Sequence, residues 1–170
     1  AVVGGSMGGL NTALLLRDLG HDVDVFERSP AELTGYGAGI VAHEAGVRYF
    51  VERAGLSLDE ITVAVSKYRL LDGAGAMLHE EPVGYRFIGW GSMYRNLIRL
   101  WGKERYHQGL AVAGFSQDED GVELRFSNGR VERRDLVVFA DGVQSTGRRR
   151  LFPEVEPFYS GYVAWRGTLP

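Results

Sequence analysis

The N-terminal run Val2-Val3-Gly4-Gly5-Ser6-Met7-Gly8-Gly9-Leu10, leading into Asn11-Thr12-Ala13-Leu14-Leu15-Leu16, constrains this chain more than any other segment. Two β-branched residues enter a glycine-rich turn, and the chain leaves it as an apolar helix. In that arrangement the free N–H groups and positive dipole end of a helix face the turn. Glycine lets a phosphate approach the backbone. A second strand over 21–27 carries Val23, Val25 and Phe26 and ends in Glu27. Glu27 stands eighteen residues after Gly9, close to the ~20 at which an acid accepts hydrogen bonds from a ribose diol.

In the G-x-G-x-x-G arrangement the slots are Gly4, Ser6 and Gly9, so serine replaces the middle glycine. Serine is the mildest replacement, because it is small and its hydroxyl can donate to phosphate. A glycine-rich turn alone only connects a strand to a helix. Here strand, turn, helix, second strand and terminal acid agree, and the expectation is a dinucleotide site.

The rest of the chain reads as follows. The first helix spans 8–19, with Leu10, Ala13, Leu14, Leu16 and Leu19 as its apolar face and Gly20 as its stop. Residues 28–42 form a long loop containing Gly35-Tyr36-Gly37-Ala38-Gly39-Ile40. It is either a flexible connection or backbone that approaches a flat ligand closely. A helix over 44–53 is ended by Gly55. Strands follow at 62–65, 67–71 and 76–79, with a turn at Asp72-Gly73-Ala74-Gly75. The next helix covers 92–103, with Ser92 as N-cap. A three-stranded meander then occupies 110–116, 122–127 and 130–134, its turns marked by Asp120-Gly121 and Asn128-Gly129. Leu136-Val137-Val138-Phe139-Ala140 is uniformly apolar, as a strand buried on both faces should be, and ends at Asp141-Gly142. The meander takes the place of a crossover helix.

Composition excludes several classes. Net charge is −3, so nothing favours bulk attraction to nucleic acid or anionic lipid. The absence of cysteine removes disulfides, thiolate metal sites and cysteine nucleophiles, and fits a reducing, cytoplasmic setting. His21, His79 and His107 have no metal-ligand spacing, so no metal site is expected. No apolar run approaches the ~20 residues of a membrane span. The chain starts inside a strand and stops after Arg166-Gly167-Thr168-Leu169-Pro170, and is read as a piece of a longer protein.

Asp141-Gly142-Val143-Gln144-Ser145-Thr146-Gly147-Arg148 lies at the carboxyl end of the apolar strand, where ligands of open parallel sheets collect. Asp-Gly alone is a common turn. Together with the Gly4–Gly9 turn, Glu27-Arg28-Ser29-Pro30, the Gly37-Ala38-Gly39-Ile40 loop and Tyr162-Val163-Ala164-Trp165-Arg166-Gly167, it resembles the aromatic-ring hydroxylases, single-component flavoprotein monooxygenases related to para-hydroxybenzoate hydroxylase. The Gly-Gly-Ser-x-Gly-Gly start and the Trp-Arg-Gly run are most similar to the 2,6-dihydroxypyridine hydroxylase branch.

The resemblance implies an α/β fold: a Rossmann-like FAD/NAD(P)-binding domain with a parallel sheet, a β-meander crossover and the start of a mixed-sheet substrate domain. Its expected bounds are 1–157, with an inserted hairpin near 61–85, and then 158–170 as the first strand of the substrate domain. Gly4, Gly5, Ser6, Met7, Gly8 and Gly9 would cradle the FAD pyrophosphate, and Glu27 would hold the adenosine ribose. Arg28 would flank the adenine and Val112 touch it through backbone. Gly39, Ile40 and Val41 would lie near the flavin ring, and Asp141 and Gly142 would contact FAD. NADPH or NADH would reduce the flavin, O2 would add to give a flavin hydroperoxide, and a small aromatic or N-heteroaromatic ring would be hydroxylated.

Where relatives place a cofactor-binding Arg at a helix start, this chain has Trp90-Gly91, with Arg95 one turn on. The family's later Gly-Asp motif is absent, so the chain alone is expected to hold the ADP half of FAD and not to turn over. His43 is either a base acting on a phenol-like substrate or a plain polar residue at a helix start. Trp165 and Arg166 either shape the pocket or serve as a core Trp and a structural ion-pair partner. Arg148-Arg149-Arg150 is either a solvated helix face or a lure for NADPH phosphates. A homodimer is compatible with the reading. Two alternatives stay open: another Rossmann-like flavoprotein oxidoreductase, and a non-catalytic dinucleotide-binding module.

Overall fold

The computed structural model describes residues 1–33 and 37–164. Gly35 and Tyr36 of the glycine loop, and Trp165, Arg166 and Gly167 of the C-terminal run, lie outside the described residues. In chain order the elements are β1 (Val2–Val3), α1 (Met7–Asp18), β2 (Val25–Glu27), β3 (Gly39–Val41) and α2 (Glu44–Arg48), then a π-helical turn (Tyr49–Arg53). Next come α3 (Leu58–Ile61), β4 (Val63–Leu71), β5 (Met77–Gly89), α4 (Trp90–Trp101), β6 (Tyr106–Gln108) and β7 (Val112–Asp118). The last are β8 (Gly121–Phe126), β9 (Val131–Arg134), β10 (Val138–Phe139) and α5 (Thr146–Leu151). The described residues form two compact units, 1–33 with 94–164, and 37–93.

The first unit is built on a parallel sheet of order β10-β1-β2-β6. Helix α1 buries Leu10, Ala13 and Leu14, while Leu15 and Leu19 face solvent. It closes as a Schellman motif. Gly20, at φ +90°, donates its N–H to Arg17 C=O at 2.9 Å, and His21 donates to Leu16 C=O at 3.1 Å. The meander β7-β8-β9 is antiparallel, as its two turns predict. Phe115, Leu124, Phe126 and Val112 form one apolar core with Val3 and Phe26. Ring pairs Phe26–Phe126, at 4.9 Å, and Phe115–Phe139, at 4.7 Å, run through it.

Some sequence expectations fail in this unit. The strand expected over 21–27 is realised only as β2, and Leu19, expected on the apolar face of the first helix, is exposed. The strand expected over 136–140 shrinks to β10, which is only half-buried, and Leu136 is exposed. The sheet order explains this, because β10 is an edge with β1 as its one neighbour. The short strand β6 has no counterpart in the sequence reading.

The second unit is an antiparallel sheet of order β3-β5-β4 with α2, the π-helical turn and α3. Three expected strands become two long ones, and the loop expected over 28–42 contributes β3, with Gly39 opposite Gly89 and Val41 opposite Phe87. Pro82 is tolerated inside β5 because the β4 register shifts beside it and β3 pairs only with residues 87–89. Helix α3 is held by a capping box. Ser57 N–H donates to Glu60 Oε2 at 2.7 Å, and Glu60 N–H donates to Ser57 Oγ at 3.3 Å. Helix α4 starts at Trp90, not after Ser92, because β5 runs directly into it and Trp90 N–H finds Ala38 C=O at 3.1 Å.

Candidate nucleotide-binding site

The glycines of the N-terminal turn divide into closed and open positions. Gly4 has φ +102°, and a Cβ there would run into the Ala140 carbonyl, 2.6 Å from its carbon. A Cβ on Gly9 would collide with the Gly4 carbonyl oxygen and stand 3.3 Å from Val2 Cγ1. The first and last glycines therefore permit the sharp turn and the close packing of α1 on β1. Gly5 is closed from behind by Tyr106, whose Cε2 and Cζ would stand 2.7 Å from a Cβ. Gly8 is different: it is exposed, and a Cβ there would meet nothing within 4 Å.

Ser6 is the N-cap of α1, but its side chain makes no capping bond. The first intrahelical bond runs from Leu10 N–H to Ser6 C=O at 2.9 Å. The N–H groups of Met7, Gly8 and Gly9 thus have no helical acceptor, and the dipole end of α1 is left to attract an anion.

Glu27 ends β2 and is 6% exposed. Its Oε2 accepts Gly5 N–H and its Oε1 accepts Ser29 N–H, both at 2.8 Å. A carboxylate has about four lone-pair sites, so roughly two remain for further donors, as a ribose diol would supply. The segment after β6 runs alongside. Gly109 N–H donates to Ser29 C=O and Leu110 N–H to Glu27 C=O, both at 3.0 Å. That pairing leads into buried Val112 at the start of β7. Arg28 is exposed.

Parallel pairing of β1 with β10 (Val3 opposite Phe139) sets Asp141 beside Gly4, since Asp141 N would lie 2.9 Å from a Gly4 Cβ. Asp141 Oδ2 accepts Thr146 N–H at 2.6 Å, and Ser145 Oγ accepts Arg148 N–H at 3.0 Å to start α5. Asp141 Oδ1 is enclosed and has no hydrogen-bond partner among the described residues. A buried carboxylate oxygen without a donor is costly, which marks the position as one awaiting a ligand donor. Gly142 follows at φ +77°.

The first unit therefore brings together the glycine turn, Glu27 and Asp141, the three features that the sequence singled out. Gly39, Ile40 and Val41 belong to the second unit as strand β3. His43 is there too, exposed at the N-cap of α2, with its backbone N–H on Val41 C=O at 3.0 Å. In the arginine run, Arg148 donates to Val143 C=O at 2.6 Å and Arg149 to Gln144 Oε1 at 3.3 Å. The sequence reading missed Tyr106. Its hydroxyl donates to Gly5 C=O at 2.9 Å and lies 3.3 Å from the Tyr94 hydroxyl. Burial pushes the Tyr106 phenol far above its ordinary range, so it stays a donor.

The parallel sheet and the N-terminal turn define a Rossmann-like nucleotide-binding fold, and residues 2–55 match the NAD(P)-binding Rossmann-like domain. The chain is 46% identical to 2,6-dihydroxypyridine 3-monooxygenase of Paenarthrobacter nicotinovorans, over 99% of this chain and 42% of that protein. It is 29% identical to the FAD-dependent urate hydroxylase of Klebsiella pneumoniae, over 99% of this chain and 47% of that protein. The solved structure of 2,6-dihydroxypyridine-3-hydroxylase from Arthrobacter nicotinovorans superposes with TM-score 0.87 at 44% identity, over 94% of this chain and 40% of that one. The resemblance to the flavoprotein aromatic-ring hydroxylases thus extends over essentially the whole chain. The chain spans less than half the length of these relatives. No helix among the described residues is long and apolar enough to cross a membrane.

Proposed function

We propose that this chain is the FAD-binding portion of a monooxygenase that uses NAD(P)H and O2 to hydroxylate an aromatic or N-heteroaromatic ring. The observation that carries the reading is the convergence of the open Gly8 position, the N-terminus of α1, the half-used Glu27 carboxylate and the unpartnered Asp141 Oδ1 in one unit. These residues fit the group. The N–H groups of Ser6, Met7 and Gly8 would hold the pyrophosphate, with Gly4, Gly5 and Gly9 giving the turn its shape. Glu27 would take the ribose diol, with Arg28 and Val112 beside the adenine. Asp141 would accept a hydroxyl of the cofactor, with Gly142 giving room next to it. The resemblance alone assigns Gly39, Ile40 and Val41 to the flavin ring, while His43, exposed at the N-cap of α2, is either a base for a phenolic substrate or a plain polar residue at a helix start.

FAD supplies the electron transfer and the oxygen chemistry when bound. This chain's part is to bind and orient it. Gly9 is buried on the closed side of the turn, and the buried Glu27 is held by its two N–H donors. The cysteine-free composition supports a reducing, cytoplasmic setting. We assign 1–157, with its insert near 61–85, to the flavin domain, and 158–170 to the start of the substrate domain.

The likeness to 2,6-dihydroxypyridine 3-monooxygenase favours a hydroxylated pyridine as substrate. The test is NADPH and O2 consumption by the whole protein across hydroxypyridines, phenols and aminophenols, with isotopically labelled O2. Faster consumption with one labelled oxygen entering the ring is expected. Consumption that no aromatic stimulates, with all oxygen leaving as hydrogen peroxide, would overturn the monooxygenase reading.

A further inference from the structure

Gly5 uses both of its backbone polar groups inside the protein: its N–H goes to Glu27 Oε2 at 2.8 Å, and its C=O accepts the Tyr106 hydroxyl at 2.9 Å. Tyr106 is 8% exposed, and its ring fills the space that any side chain at residue 5 would need. The phenol has one proton, and a carbonyl can only accept, so that proton is committed to Gly5 and Tyr94 donates to the phenol oxygen. Tyr94, Tyr106 and the Gly5 C=O therefore form one hydrogen-bond chain, while Gly5 N–H, on the preceding peptide, goes separately to the Glu27 carboxylate, where Ser29 N–H fixes the other oxygen.

We propose that Tyr106 is a positioning residue for the dinucleotide: its hydroxyl fixes the Gly5–Ser6 peptide and, because the C=O and N–H of a trans peptide point opposite ways, turns Ser6 N–H away from Tyr106 and toward the pyrophosphate. The proposal rests on the reading of this site as an FAD site and adds a residue from a strand eighty residues beyond Glu27 to its machinery. With both Gly5 groups used inside the protein, the donors left at the turn are Ser6 N–H and the helix-end N–H groups of Met7, Gly8 and Gly9. Without the hydroxyl, the Gly5 carbonyl is buried with no donor, and the Gly5–Ser6 peptide with its Ser6 N–H loses its brace.

The test uses the whole protein stripped of flavin, with FAD affinity read by quenching of flavin fluorescence and apoprotein stability by urea unfolding. Tyr106→Phe is expected to weaken FAD about tenfold, in line with a buried acceptor left unpaired. Tyr94→Phe also deletes a buried hydroxyl, but one step further from Gly5, and is expected to leave FAD affinity within about twofold. Tyr106→Phe should weaken ADP, which carries the pyrophosphate, about as much as FAD and leave adenosine within about twofold, because the brace acts on Ser6 N–H. Equal losses for the two Tyr→Phe variants, or equal losses for adenosine and ADP in Tyr106→Phe, would overturn the positioning role. If Tyr106→Phe does not fold, amide hydrogen exchange in the unaltered protein decides: Ser6 N–H should exchange fast in the apoprotein and slowly once FAD is bound, and a Ser6 rate that FAD leaves unchanged would overturn it. If the unaltered protein does not bind FAD at all, the flavin reading fails rather than the brace.

Discussion

Replacing Gly9 and Gly8 by alanine, one at a time, should move stability and cofactor binding in opposite directions. At Gly9 the new Cβ meets the Gly4 carbonyl oxygen, and Gly4 cannot retreat because its own far side abuts the Ala140 carbonyl. Overpacking against side chains costs about 1–3 kcal/mol, and a backbone obstacle puts this case at or above the upper end. Alanine returns about 0.5–1 kcal/mol of helix propensity. The net expectation for Gly9→Ala is a loss of about 2 kcal/mol or more. At Gly8 the Cβ points into open space, so the apoprotein should gain about 0.5 kcal/mol. That same space is where the pyrophosphate would lie, so FAD should bind about tenfold more weakly, a loss of ~1.4 kcal/mol. Urea unfolding of the apoprotein and fluorescence titration with FAD read the two effects separately. A Gly9→Ala protein as stable as the parent would refute the steric argument. A Gly8→Ala protein with unchanged FAD affinity would refute the placement of the ligand.

Three further outcomes follow from the first unit. Asp141→Asn keeps an oxygen for Thr146 N–H but puts a donor where Oδ1 now waits. Apoprotein stability should change by less than about 1 kcal/mol while FAD affinity falls about tenfold, and retained affinity would remove Asp141 from the site. Burial works against the charge on Asp24, yet the His107 hydrogen bond at 2.8 Å and Arg134 at 3.1 Å outweigh it and hold the carboxyl below its usual range. Its stabilisation is therefore full above the unfolded value of about 3.9 and lost as pH falls through the lower folded value. Asp24→Asn should remove about 1.5–3 kcal/mol at pH 7 and flatten the pH dependence of urea unfolding below about pH 4, and an unchanged acid limb would contradict this. Leu124→Ala, at a site with no exposure in the meander core, should cost about 2–5 kcal/mol by chemical denaturation, and a cost under 1 would place the core elsewhere.

The parts of the site that lie close together in sequence were legible in it. The Gly4–Gly9 turn is a local steric solution, and Gly20 closes α1 by a local motif, so spacing reveals both. Asp120-Gly121 and Asn128-Gly129 likewise announce the meander turns. What escaped depends on partners far along the chain. Strand β6 is three residues long and exists because Val25 and Phe26 pair with Tyr106 and His107 across eighty residues. Its tyrosine looks in sequence like any aromatic beside a charged run, and only the fold brings it behind Gly5. Strand β3 was hidden in a glycine-rich loop because its pairing with residues 87–89 is non-local. The 136–140 run promised a doubly covered strand, but apolar composition does not say whether a strand is central or at the sheet edge. The free oxygen of Asp141 could not be read either, because it depends on which N–H groups α5 presents.

The central claim is that the turn, Glu27 and Asp141 hold FAD. The most direct measurement is the visible spectrum of the purified whole protein before and after anaerobic NADPH, with oxidised-flavin bands expected near ~370 and ~450 nm. Bands that travel with the protein, bleach with NADPH and are lost from a Gly8→Ala, Asp141→Asn double variant are the predicted result. A colourless protein that also takes up no added FAD would contradict the account.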